Sequence, residues 1–93
     1  MSLHIDGVEF RAAQRVDVLS GLLGWVSFRV GGDLRINSVG VRVTRQGKHT
    51  LSFPCRRDRA NVEHAIVSPV SAAAHRTVEE QVLGELRRQG ALR

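Results

Sequence analysis

The chain has 93 residues, enough for one small domain and no more. Apolar residues at 42% and charged residues at 25% are globular values and exclude global disorder. Fourteen Lys and Arg against nine Asp and Glu leave +5 at pH 7, and every cation except Lys48 is an arginine. Such a surplus bears on partners, not on fold. Guanidinium in particular forks onto phosphate through two parallel hydrogen bonds.

In chain order, Val8 to Arg11 reads as a short strand with Val8 and Phe10 on one face. Leu22 to Val30 reads as a stronger one, because Val26, Phe28 and Val30 alternate with Ser27 and Arg29. Gly31-Gly32-Asp33 is a hairpin turn signal. The next strand, Leu34 to Thr44, switches parity from Leu34 and Ile36 to Val39, Val41 and Val43. One flat strand cannot bury both sets on one face, so a bulge is expected near Asn37-Ser38-Val39-Gly40, with Gly40 suited to it. Arg45-Gln46-Gly47-Lys48 is the following turn. Thr50 to Phe53 is a strand stopped by Pro54, Cys55 to Asn61 an exposed charged loop, and Val62 to Val67 a last strand.

Pro69 separates strand from helix. Ser71 can accept an orphan amide of the first helical turn, and Ala72 to Gln89 carries an apolar stripe at Val78, Val82 and Leu86, flanked by Ala74 and Leu83. Arg87 and Arg88 suit the last turn, and Gly90 the position just past it. The expected architecture is α+β: an antiparallel sheet of four to five strands over about 5–67, then one C-terminal helix over about 71–89, in a single domain. One helix covers one sheet face. The other face, or a free strand edge, then invites a second copy.

The order of these features resembles the SpoVG (stage V sporulation protein G, or septation regulator) family. The resemblance runs from the strand Leu34-Arg35-Ile36-Asn37-Ser38-Val39-Gly40-Val41 through the turn at Gly47, the closing Phe53-Pro54, and Cys55-Arg56-Arg57. It continues through Ile66-Val67-Ser68-Pro69-Val70 into the helix with Val78, Val82, Leu83, Glu85 and Arg88. Val8 to Arg15 and Leu22 to Val30 fit more loosely as its earlier strands. Ser68 and Leu86 stand where that family often has a histidine and an aromatic residue. The resemblance implies a small sheet with a C-terminal helix, a homodimer built through strand contacts, and DNA and RNA binding in bacterial gene regulation, including septation and sporulation.

Three cation groups are candidate phosphate contacts. Arg56, Arg57 and Arg59 crowd one loop; Arg87 and Arg88, with Arg93 beyond, end the helix; Arg45 and Lys48 mark a hairpin turn, extended by Arg42. Contacts of this kind set affinity without reading bases. His75 and Arg76 in the first helical turn add a fourth place for an anion. Phe28 and Phe53 read as core, and Trp25 as buried, which favours a phosphate-driven over a stacking-driven binder.

Enzyme chemistry has little support. His4, His49, His64 and His75 share no metal-ligand spacing with Cys55, and no phosphate-binding glycine loop is present. Arg56 and Arg57 would lower the Cys55 thiol pKa, but no base accompanies it. No cofactor and no small-molecule substrate are expected. The lone cysteine fits a reducing compartment, and no apolar run nears the roughly 20 residues that span a bilayer, so the expected location is the cytoplasm. The alternative function is a dimeric protein-interaction module that uses its sheet face or strand edge.

Overall fold

The computed structural model describes residues 3–92. Its elements are β1 (Ile5–Ala12), α1 (Arg15–Leu19), β2 (Leu22–Val30), β3 (Leu34–Val43), β4 (His49–Ser52), β5 (Cys55–Arg57), β6 (Glu63–Ala65) and α2 (Ala72–Arg88). Strands β1 to β4 form an antiparallel sheet in sequential order, and β5 pairs with β6 in a separate two-stranded ribbon. The architecture is α+β, as the alternation and the helical stripe indicate.

One face of the sheet meets α2. Val26 and Phe28 of β2, Val39 and Val41 of β3, and Leu51 of β4 pack with Val78, Val82, Leu83 and Leu86 of the helix. Phe28 and Leu86 are fully buried. The helix starts on Ser71, whose hydroxyl accepts the Ala74 amide at 3.0 Å. It ends at Gly90 (φ +78), where the Ala91 amide returns to the Leu86 carbonyl and the Gly90 amide to that of Arg87. This left-handed stop turns the chain back and seats Leu92 in the core.

The parity switch in β3 is resolved by a bulge. Val26 faces Val39 and Phe28 faces Ile36, so β3 spends one residue more than β2 over this interval. The extra residue lets Ile36 and Val39 lean to the same side. Ser38, not Gly40, takes the left-handed conformation, at φ +63. Gly40 instead stands cross-strand from Trp25 on the opposite face. A second close approach is at Gly24, where an added Cβ would sit 2.4 Å from the Arg11 carbonyl oxygen and 2.5 Å from Phe10 Cζ. The bare Cα lets the Phe10 ring lie across β2.

Several expectations need correction. The first strand begins at Ile5 rather than Val8, because a bulge at Gly7 (φ +59) carries the pairing with β2 past the polar residues. It ends at Ala12, and Arg15 opens the short helix α1, which is too brief to show a helical period. The fourth strand is set one residue earlier than expected, at His49. The 55–61 segment is not simply a loop: Cys55, Arg56 and Arg57 pair with Ala65, His64 and Glu63. The last strand shrinks accordingly to Glu63–Ala65. Both strands of the ribbon are exposed, so no apolar alternation announces them. Phe53 packs against the core at its edge, half-buried, and tilts against the His75 ring with 5.7 Å between centroids. The helix proper stops at Arg88, with Gln89 as its cap.

Candidate nucleic-acid interface

The sequence-predicted cations occupy three separate places. Arg56, Arg57 and Arg59 belong to the ribbon of β5 and β6, an exposed arm between the sheet and α2. Lys48 and Arg87 come together with Arg76 around a groove of about 330 Å³ between the β3–β4 turn and the helix, which Glu79 and Glu80 also line. Arg45 lies in the same β3–β4 turn. Arg88 lines a different groove, against β1, in the company of Asp6, Glu80 and Glu85. Arg93 lies outside the described residues.

Local order explains each group. The β3–β4 turn is tied by Thr44: its amide donates to the Lys48 carbonyl and its hydroxyl accepts the Lys48 amide, with Gly47 at φ +81. The arm's tip is built on Asp58. Its Oδ1 accepts the amides of Ala60 and Val62, both at 2.9 Å, and its Oδ2 lies 2.7 Å from His64 Nε2. Asp58 is thus the residue that shapes the arginine loop. Its spacing to Ala60 is that of an Asx turn, the one clue the sequence offers.

The partners of the arginines differ. Arg57 donates to the Asn61 carbonyl at 3.2 Å and lies 3.5 Å from a Glu63 oxygen, so it braces the arm. Arg88 is held by Glu85 at 2.7 Å, an i,i+3 pair, and its groove carries three carboxylates to one guanidinium. Arg45, Lys48, Arg56, Arg59, Arg76 and Arg87 have no carboxylate within 4 Å among the described residues. His75 is engaged in packing: Nδ1 lies 2.8 Å from Glu79, and Nε2 lies 3.4 Å from the Leu51 carbonyl oxygen.

The titrating groups follow these contacts. The His64 ring, then the Val62 and Ala60 amides, hold the Asp58 carboxyl below the usual carboxylate range. Arg88 does the same for Glu85. The Cys55 thiol moves opposite to expectation. Its hydrogen bond to Glu63, at 3.0 Å, raises its pKa and outweighs the lowering from Arg57. Among the described residues, no three or more His, Cys, Asp or Glu are grouped to hold a metal ion.

A pH effect follows from Asp58. With a folded pKa below the unfolded one, its contribution is fully present above the ordinary carboxylate range and is lost as pH falls through the depressed value. Acid titration followed by NMR is expected to shift the Ala60 and Val62 amides together. Asp58→Asn should abolish that coupled step. Amides that stay put through the acidic range would show that the carboxylate does not hold the tip.

The sheet face opposite α2 adds residues that sequence reasoning placed elsewhere. Trp25 is 38% exposed, not buried. The alternation that sends Val26 and Phe28 to the helix sends Trp25 to the other side, where α2 does not reach. Arg29 forks onto Asp6 at 2.9 and 3.1 Å, and Arg35 pairs with Glu9 at 3.0 Å on this face. Arg11 and Arg42 have no carboxylate within 4 Å among the described residues.

Neither known protein families nor curated proteins yield a match to this chain. No helix of the described residues is long and apolar enough to cross a membrane.

Proposed function

We propose that this chain is a small nucleic-acid-binding regulator of the SpoVG type, acting in the cytoplasm as a homodimer on DNA or RNA. The observation that carries this reading is the set of cations without carboxylate partners: Arg56 and Arg59 on an exposed arm, Lys48, Arg76 and Arg87 about one groove. Arg29, Arg35, Arg57 and Arg88, by contrast, each already have a carboxylate partner. Unpaired guanidinium groups on exposed elements are free to displace the counterions of a phosphate chain. The resemblance supports the reading through the order of its strands, turn and helix. The homodimer is supported by apolar side chains left in water beside the arm: Val70 is 97% and Ile66 61% exposed. A second copy is the simplest cover for them.

The test is a mobility-shift titration of the full chain against DNA and RNA at two salt concentrations. Binding is expected at low salt and should weaken steeply as salt rises. Absence of binding to both polymers at low salt removes the proposal.

The exposed Val62, Ile66 and Val70 also favour a second reading, an interaction module for another protein. Under it, Val70→Ser/Ile66→Ser would abolish a specific association that persists after nuclease treatment. Under the first reading the same change weakens self-association in sedimentation and leaves phosphate contacts in place.

A further inference from the structure

We propose that the sheet face opposite α2 is a stacking platform for single-stranded nucleic acid, with Trp25 receiving a base and Arg11 and Arg42 holding the neighbouring phosphates. The inference rests on the nucleic-acid reading above and adds to it where, and in what form, the polymer is held.

Trp25 lies on β2, an interior strand, in a row across the sheet with Arg11 of β1 on one side and Gly40 of β3 on the other. A tryptophan is the largest apolar surface a chain this small can bury, and 38% of this one is left in water. Gly40 supplies no side chain on that flank, and Leu22 leans over it, with Cδ1 3.5 Å from where a Cβ would stand. Trp25 also lines a groove of about 620 Å³ together with Glu9, Arg11, Ser27, Asn37 and Ser38.

Glu9 of this groove is paired with Arg35; Ser27 and Asn37 are set as donors. Arg35 donates to Asn37 Oδ1 at 3.1 Å and to Ser27 Oγ at 2.8 Å. Asn37 therefore has its amide nitrogen to offer, and Ser27 its hydroxyl proton, both toward acceptors such as base carbonyls. Asp6 and Glu9 are consumed by Arg29 and Arg35, so the free charges flanking Trp25 are the two arginines, Arg11 and Arg42. An aromatic ring beside unpaired cations is the chemistry that takes a base on its face and the adjoining phosphates at its sides. A duplex hides its base faces, so this surface selects an unpaired strand. A second copy is a poor occupant, because four arginines against two carboxylates would oppose each other face to face.

Trp25 is the single tryptophan of the chain, so intrinsic fluorescence reports on this ring alone. The full chain is titrated at low salt with a short oligothymidylate and with a duplex. Tryptophan emission and the anisotropy of a labelled strand are followed together. The expected result is saturable quenching by the single strand, with the same midpoint as the anisotropy. Trp25→Ala should weaken single-strand binding by about 5- to 150-fold, the range that base–aromatic stacking supplies, and Trp25→Phe should restore part of it. Arg11→Ala/Arg42→Ala should flatten the single-strand salt slope by about 1.4. Urea midpoints within error of the parent chain establish that each variant is folded; Trp25→Phe carries the comparison if Trp25→Ala is not. Anisotropy binding with unchanged Trp25 emission and unchanged Trp25→Ala affinity overturns the platform and leaves the nucleic-acid reading standing. So does emission that changes with protein concentration alone, the mark of a second copy on this face. No binding in either channel removes both.

Discussion

Phe28→Ala is expected to remove about 3–5 kcal/mol of folding stability, the usual cost of emptying a fully buried aromatic site. The Phe28 ring has no solvent exposure and stands on β2, on the face that α2 covers. Its cross-strand partner is Ile36, which reaches the same side only because of the Ser38 bulge. Two devices, the bulge and the helix, thus converge on one side chain. A domain of this size holds about 5–15 kcal/mol in total, so the change takes a large share of it. Urea unfolding should show a lower midpoint with an unchanged slope, and Tm should fall by more than about 12 °C. A loss below about 1 kcal/mol would mean that α2 does not seat on this ring.

The second large effect is expected on the arm. Arg56→Ala/Arg59→Ala removes two guanidinium groups that have no carboxylate partner and leaves the Asp58 turn and the Arg57 brace untouched. If both touch phosphate, the dependence of log affinity on log salt becomes shallower by about 1.4 on a single strand and 1.8 on a duplex. Near 0.1 M salt this corresponds to a loss on the order of 20- to 60-fold, taking the electrostatic contribution to vanish near ~1 M. Arg57→Ala also weakens binding, but through the arm's shape, and the Val62 amide shift moves with it. Arg88→Ala is the control. Its guanidinium is already shared with Glu85, and an exposed pair of this kind adds little to stability. Binding that survives the arm double change undiminished would move the interface to the Lys48–Arg87 groove or to the sheet face.

The parts of this fold that were readable are those where apolar spacing carries the signal. Val26, Phe28 and Val30 announce β2, and Val78, Val82 and Leu86 announce α2. Even the irregularity of β3 was visible, since Ile36 and Val39 cannot share a face without an extra residue. What escaped has no apolar period. Arg15 to Leu19 is too short to repeat, and the β5–β6 ribbon is polar on both faces. The site suffered from the same gap. The Glu85–Arg88 pair is written in an i,i+3 spacing, but Arg57 meets Glu63 only because the two strands pair. Trp25 was misplaced for another reason. Its parity is opposite to that of Phe28, so it faces away from α2, and the general preference of tryptophan for burial does not hold there.

The arm projects its arginines from a ribbon whose side chains are all exposed, while the hydrophobic core lies wholly between the four-stranded sheet and α2. Substitutions at Arg56 or Arg59 therefore fall where they leave the packing of Phe28 and Leu86 alone. If the arm contacts phosphate as proposed, its affinity can be changed one residue at a time at no cost to the packed core.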